Sequence, residues 1–212
     1  MESQNATKTQ FDELAESWDE DPKRIIFTKA IADSIKKELN LDKSTRAFEF
    51  GCGTGLVTMQ MADALGSITA VDSSEKMIDQ LAKKIEGSKI KNIKTIHIDF
   101  DEEDLPSGDY SLLFSNMVIH HLDDYESQLK RFHELIEPGG YIAISDLDKE
   151  DGSFHGDMEG IFHYGFERDS FIKSLEKAGF INCRVTTAFV IPRENEDGSK
   201  TEFPIFLAIG QK

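Results

Sequence analysis

From Arg46 onward, short apolar runs alternate with amphipathic stretches. Ala47 to Phe50, Ser67 to Val71, Ile93 to Ile98, Tyr110 to Ser115 and Tyr141 to Ser145 read as strands. Between them, Thr54 to Leu65, Glu75 to Ile85 and about Tyr125 to Ile136 read as helices, the second with Met77, Ile78, Leu81 and Ile85 on one face. Strands separated by helices predict right-handed crossovers and an α/β fold built on a doubly wound, mostly parallel sheet. Such sheets place ligands outside the carboxyl ends of their strands, at the topological switch point.

The two ends of the chain read differently. The polar first twenty residues carry Phe11, Leu14, Ala15 and Trp18 at helical spacing, which predicts a short amphipathic helix in need of a partner surface. Asp21 followed by Pro22 reads as an N-cap and first helical position, and the helix beyond sets Ile25, Ile26, Ala30, Ile35 and Leu39 on one side. Near the other end, a helix from about Glu167 to Ala178 closes on Gly179. Cys183 to Val190 and Phe203 to Ile209 then form two more strands, and the turn-rich Pro192 to Lys200 makes them an antiparallel hairpin, for seven strands in all. The polar segment Asp146 to Tyr164 exceeds an ordinary connection, and loops of that length are usually functional or mobile.

Composition bears on function more than on fold. With no linker, low-complexity tract or repeat, 212 residues fit one domain. The chain has 24 basic and 40 acidic residues, a net charge of −16. That balance disfavours nucleic acid, whose phosphates are bound by Lys and Arg displacing counterions, and it disfavours anionic membrane surfaces. No apolar run approaches the roughly 20 residues that span a bilayer. Cys52 and Cys183 are the only cysteines and no apolar signal region opens the chain, so a disulfide framework is not expected and the cytoplasm is the expected compartment.

The sharpest local feature is Phe48-Glu49-Phe50-Gly51-Cys52-Gly53-Thr54-Gly55, a strand entering a glycine turn and then a helix. Glycines let backbone approach a ligand closely and expose N–H groups at a helix start, although such a turn can also be purely structural. A dinucleotide fingerprint requires G-x-G-x-x-G, and here the third glycine arrives one residue early, which disfavours a pyrophosphate cradle and a nicotinamide-dependent oxidoreductase. Asp72 ends the neighbouring strand, where a carboxylate can accept from a ribose diol; the alternative is an N-cap, since Asp72, Ser73 and Ser74 precede a helix. Asp99 ends the third strand and could accept from an adenine amino group, or belong with Asp101, Glu102, Glu103 and Asp104 to a solvated acidic loop.

Five segments share one order and spacing: Glu49 to Gly55, Val71-Asp72-Ser73-Ser74-Glu75-Lys76-Met77, Ile98-Asp99-Phe100, Phe114-Ser115-Asn116-Met117-Val118-Ile119-His120-His121-Leu122, and Leu135-Ile136-Glu137-Pro138-Gly139-Gly140. In these the chain resembles the class I S-adenosylmethionine-dependent methyltransferases of bacterial small-molecule type. The resemblance implies a Rossmann-like sheet with an antiparallel last strand across residues 45–212; the N-terminal helices over residues 1–44, with Phe11, Trp18 and Phe27, are expected to form a helical lid over its carboxyl edge, core packing being the alternative. It implies S-adenosylmethionine as cofactor and S-adenosylhomocysteine as product. By position, Glu49 would hold the methionine amino group, and the backbone of Gly51, Cys52, Gly53, Thr54 and Gly55 would pack on the methionine and ribose. Asp72 with Ser73 would meet the ribose hydroxyls, Met77 would line the adenine side, and Asp99 and Phe100 would read the adenine. Asn116, Met117 and His121 would wall cofactor from acceptor.

The sulfonium makes the methyl group electrophilic, so such a protein mainly aligns the acceptor and excludes water. A general base matters only where the acceptor must lose a proton. His120, His121, Asp146, His155 and His163 are the candidates near the carboxyl edge, with His121, His155 and His163 taken as acceptor-side residues. No metal is expected, because the His and Asp residues after the fifth strand lack a compact ligand spacing. Where enzymes acting on DNA bases or glutamine amides carry an Asn/Asp-Pro-Pro-aromatic turn, this chain has Ser115-Asn116-Met117-Val118. A small organic acceptor fits best, in a monomer or homodimer. The rival reading is a non-catalytic cofactor-binding or interaction protein of the same fold.

Overall fold

A computed structural model of the 212-residue chain describes residues 9–100, 103–156, 158–195 and 197–212. Asp101 and Glu102 of the acidic run, Asp157, Glu196 and the first eight residues of the expected lid lie outside them.

Residues 9–14 are helical (α1), and Trp18–Glu20 form a 3-10 turn. The elements that follow are α2 (Pro22–Glu38), β1 (Arg46–Phe50), α3 (Leu56–Met61), β2 (Ser67–Asp72), α4 (Glu75–Glu86), β3 (Ile93–His97) and β4 (Tyr110–Asn116). After them come α5 (Tyr125–Leu135), β5 (Ile136–Leu147), α6 (Arg168–Lys177), β6 (Ile181–Glu194) and β7 (Lys200–Gln211).

The strands form one seven-stranded sheet in the order β3-β2-β1-β4-β5-β7-β6. The pairs from β3 through β5 are parallel, and β7 runs antiparallel to both β5 and β6. Strand order reverses between β1 and β4, and sheets of this kind hold ligands at the carboxyl ends of the strands flanking such a reversal. Strand neighbours alternate between two cores. Ala47, Leu112, Phe114 and Ala143 face Ile31, Ile35, Met61 and Leu81 of α2, α3 and α4, whereas Phe48, Leu113, Ile142 and Ile144 face Leu129, Phe132, Phe171 and Leu175 of α5 and α6. Burial on both faces is why these strands read as continuous apolar runs.

Three expectations change. The buried side of α2 carries Phe27, Ile31, Ala32 and Ile35, while Ile25 and Ile26 are 44% and 60% exposed. Apolar residues surround this helix, so its neighbours, such as Phe189 at 5.8 Å between ring centroids from Phe27, decide which face is buried. Helix α3 starts at Leu56 rather than Thr54, because the glycine turn lasts until Gly55, whose φ of 82° is left-handed. The last hairpin is longer at both ends than its apolar runs, since outward-facing polar residues alternate along β6. As expected, Asp21 caps α2, its carboxylate accepting from the Lys23 N–H at 2.9 Å.

Candidate cofactor and acceptor site

The glycine turn crosses the end of β1 with Gly51, Gly53 and Gly55 all at positive φ. The three glycines serve different ends. A Cβ on Gly51 would lie 2.4 Å from a Val118 methyl, and one on Gly55 would lie 2.2 Å from Leu81 Cδ1, so these two allow close packing of turn against protein. A Cβ on Gly53 would meet nothing within 4 Å, so this backbone faces open space. The N–H groups of Gly51 and Cys52 both donate to the Val71 carbonyl at 2.9 Å, which binds the turn to β2. Cys52 is buried beneath it, and burial pushes its thiol well up.

Asp72 stands beside this turn. Its Oδ2 accepts from the Gly53 N–H at 2.7 Å and its Oδ1 from the Ser74 N–H at 2.9 Å. Burial raises the carboxyl against the pull of those donors. The N-cap of α4 is Ser74, whose Oγ accepts from the Met77 N–H at 3.1 Å, so Asp72 is not the cap. Met77 is buried under that cap, and the Ser73 carbonyl lies 3.1 Å from His97 Nε2.

Glu49 is 2% exposed, and its Oε2 accepts from Thr58 Oγ1 at 2.5 Å. It has no cationic partner among the described residues, and burial, with Asp72 adding to it, pushes the carboxyl up to about 8. A buried carboxylate held by one hydroxyl suits the cationic amino group of a methionine moiety. At the end of β3 the Ile98 N–H donates to the Asp72 carbonyl at 3.0 Å, which brings Asp99 close to Asp72. The Phe100 ring stacks on Phe50 at 4.1 Å.

On the β4 side of the reversal, Asn116 Oδ1 accepts from Ser145 Oγ at 2.8 Å. Met117 has φ of 55°, a left-handed conformation rare for a residue with a side chain, and its N–H donates to the Ser145 carbonyl at 2.9 Å. That bend turns the chain from β4 into the segment carrying His120 and His121. His120 Nδ1 lies 2.7 Å from Asp146 Oδ1, and His121 Nδ1 lies 2.9 Å from the Gly160 carbonyl. His155 joins them, its ring 4.7 Å from that of His120. His163 does not: its Nε2 lies 2.9 Å from the Leu122 carbonyl and its ring packs between Tyr125 and Phe166. Among the described residues, no three His, Cys, Asp or Glu side chains are grouped to hold a metal ion.

Sequence reading missed the way the N-terminal arm is pinned to these turns. Asp12 accepts from Ser74 Oγ at 2.5 Å, and Asp19 accepts from Thr54 Oγ1 at 2.6 Å and pairs with Lys84. Phe11 meets Trp18 and His121 edge-on at 5.6 and 5.4 Å. The apolar spacing signalled a helix needing a partner, but nothing in it marked the two aspartates. Thr58 was missed as well, although its place one turn into α3 was the available signal.

Comparisons with known proteins bear on the fold that carries this site. Residues 47–140 match the family described as a methyltransferase domain. An uncharacterised methyltransferase of Schizosaccharomyces pombe is 24% identical over 152 residues, covering 65% of this chain and 54% of that protein. A demethylmenaquinone methyltransferase of Geobacillus stearothermophilus is 24% identical over 118 residues, 54% of this chain and 50% of that protein. The chain thus spans about half the length of the curated relatives it matches. Among solved structures, DhpI in complex with S-adenosylhomocysteine superimposes with a TM-score of 0.74 at 17% identity, over 99% of this chain and 96% of its own. A SAM-dependent methyltransferase from Aquifex aeolicus gives 0.64 at 20% identity, over 95% and 97%. Motif order, sheet topology and these likenesses agree: residues 47–140 match the methyltransferase domain, and the sheet has the fold of the S-adenosylmethionine-dependent methyltransferases it resembles.

Proposed function

We propose that this chain transfers a methyl group from S-adenosylmethionine to a small organic acceptor. The observation that carries the reading is the β1/β4 switch point itself, where the open backbone of Gly53 lies beside Asp72 and near a buried Glu49 that has no cationic partner among the described residues. Glu49 would take the amino group, the turn from Gly51 through Cys52, Gly53 and Thr54 to Gly55 the methionine and ribose, and Asp72 with Ser73 the ribose hydroxyls. Met77, Asp99 and Phe100 would border the adenine, while Asn116 and Met117 separate the cofactor from the acceptor.

When bound, the cofactor supplies an electrophilic methyl group, so the chain's own residues have to orient the acceptor and keep water out. The N-terminal arm would serve the second need, since it is pinned to both cofactor turns by Asp12 and Asp19. A small acceptor is supported by the aromatic closure of Phe11 over His121, by the charge of −16, and by relatives named for demethylmenaquinone. The same charge supports a role without nucleic acid or anionic-membrane partners, and the form we propose is a cytoplasmic monomer or homodimer. No helix among the described residues is long and apolar enough to cross a membrane. Calorimetry with S-adenosylhomocysteine is the test: saturable one-to-one binding is expected, and no heat at high protein concentration would refute the proposal.

A further inference from the structure

Three imidazoles converge where β4 and β5 end. The ring of His120 lies 4.2 Å from that of His121 and 4.7 Å from that of His155. Their partners set them apart. His120 and Asp146 are 1% and 0% exposed. Asp146 Oδ1 accepts from His120 Nδ1 at 2.7 Å and from the Leu147 N–H at 2.8 Å, while Oδ2 faces the His120 N–H at 3.3 Å. Burial presses the Asp146 carboxyl upward, but the adjacent imidazole and these donors hold it below the ordinary range, so it is ionised. An ionised carboxylate only accepts, which puts a proton of His120 on Nδ1; in the neutral ring the lone pair is then on Nε2, which has no partner among the described residues.

The neighbouring imidazoles lack such support. His121 donates its Nδ1 proton to the Gly160 carbonyl, and burial pushes it down to about 3. His155 has a buried Nδ1 without a partner among the described residues, and burial pushes the ring down to about 4. Among the described residues, the groups facing the cluster are Asp146, these two neutral rings, and Arg193 behind Phe154, which donates to the Ser153 and Phe154 carbonyls. Among the described residues, only His120 of the three has a carboxylate hydrogen-bonded to its ring to balance the charge of a bound proton. The other walls are flat and aromatic, with Phe11 edge-on to His121 and Phe154 edge-on to His155.

We infer that His120, oriented by Asp146, is the general base at this site, and that the acceptor is a neutral planar molecule bearing a phenolic hydroxyl. The O–H bond breaks with its electron pair left on the acceptor oxygen, and the proton passes to Nε2 of His120. The resulting imidazolium is balanced by Asp146 until the proton returns to water. Asp146 is a positioning residue, acting only through His120. The inference rests on the methyltransferase reading, but its test reads proton transfer separately from cofactor binding.

The probe is 4-nitrophenol, whose phenolate absorbs in the visible, titrated into the full chain saturated with S-adenosylhomocysteine at a pH below the phenol's own pKa. The wild type is expected to develop the phenolate band. His120→Gln should lose at least tenfold of it while still binding S-adenosylhomocysteine by calorimetry. Asp146→Asn, which keeps the imidazole but not its proton acceptor, should also reduce the band. A second measurement needs no variant: nitrogen-15 spectra of the wild-type histidines should show His120 protonated on Nδ1. A band undiminished in His120→Gln, no band in a wild type that binds S-adenosylhomocysteine, or His120 protonated on Nε2 alone would each overturn the inference. A wild type that binds no S-adenosylhomocysteine would instead overturn the methyltransferase reading beneath it.

Discussion

The backbone N–H of Gly53 donates to Oδ2 of Asp72 at 2.7 Å, so the carboxylate at the tip of β2 holds the glycine turn that leaves β1. Because Ser74 donates to the other oxygen, this side chain supports two backbone turns as well as the proposed ribose contact. Asp72→Ala should therefore lower stability, by about 1–3 kcal/mol for each N–H left unpaired, and weaken S-adenosylhomocysteine binding by about 1.5–3 kcal/mol. Denaturant unfolding and calorimetry on the same variant check both, and unchanged affinity would remove the ribose role.

Glu49 predicts how binding depends on pH. With its carboxyl pushed up to about 8, the free chain holds a proton there at neutral pH. Binding a cationic amino group requires the ionised form, so the proton must leave. Affinity for S-adenosylhomocysteine should therefore fall as pH drops below about 8, by up to about tenfold per unit. Glu49→Gln should flatten the profile; a wild-type affinity constant across this range would contradict the amino-group role.

The glycines predict a separation between folding and binding. Gly53→Ala meets no protein atom and has only its φ of 53° to overcome, a cost of about 1–2 kcal/mol, yet its methyl would enter the space proposed for the cofactor. Gly55→Ala adds a collision with Leu81 to a comparable backbone cost, for about 1–3 kcal/mol more in stability. Thermal unfolding should rank Gly55→Ala as the less stable, while calorimetry should show marked loss of affinity already in Gly53→Ala.

The histidine cluster predicts sensitivity to acid. The folded chain holds His121 near 3 and His155 near 4, whereas an unfolded histidine titrates near 6.5. Below that value the unfolded state binds protons the folded state refuses, so stability falls with pH down to the folded values. Glu49 acts with the opposite sign, its raised pKa favouring the folded state as pH drops from about 8. The difference between wild type and His121→Asn is therefore the clean readout. Urea unfolding at about pH 7 and about pH 5 should show a smaller loss in the variant, and an equal loss would remove His121 from the account.

Asp19 predicts a kinetic effect. It joins the arm to Thr54 and Lys84 across the glycine turn, in a partly exposed pair that contributes little to global stability. Asp19→Ala should leave thermal unfolding nearly unchanged while raising the dissociation rate of S-adenosylhomocysteine in stopped-flow measurements. An unaltered rate would mean that the arm does not hold the cofactor in place.

The order of strands and helices, the glycine turn and the antiparallel hairpin were legible in the sequence, because each depends on a local period or on the freedom of particular residues. Strands covered on both faces announce themselves as apolar runs, and a turn with Gly51, Gly53 and Gly55 at positive φ needs residues without a Cβ. The buried face of α2 was not legible: Ile25, Ile26, Phe27 and Ile31 surround the helix, and only contact with the sheet selects Phe27 and Ile31. Asp72 could be cap or ligand from the sequence; in the fold Ser74 makes the local cap, and tertiary contact gives Asp72 the glycine turn. The pairing of His120 with Asp146 across 26 positions, and the pinning of Asp12 and Asp19 to the two turns, arise where separate strand ends meet. Periodicity carries which way a residue faces within its own element. It does not carry which residue of another element stands opposite, since that distance is set only when the sheet has assembled.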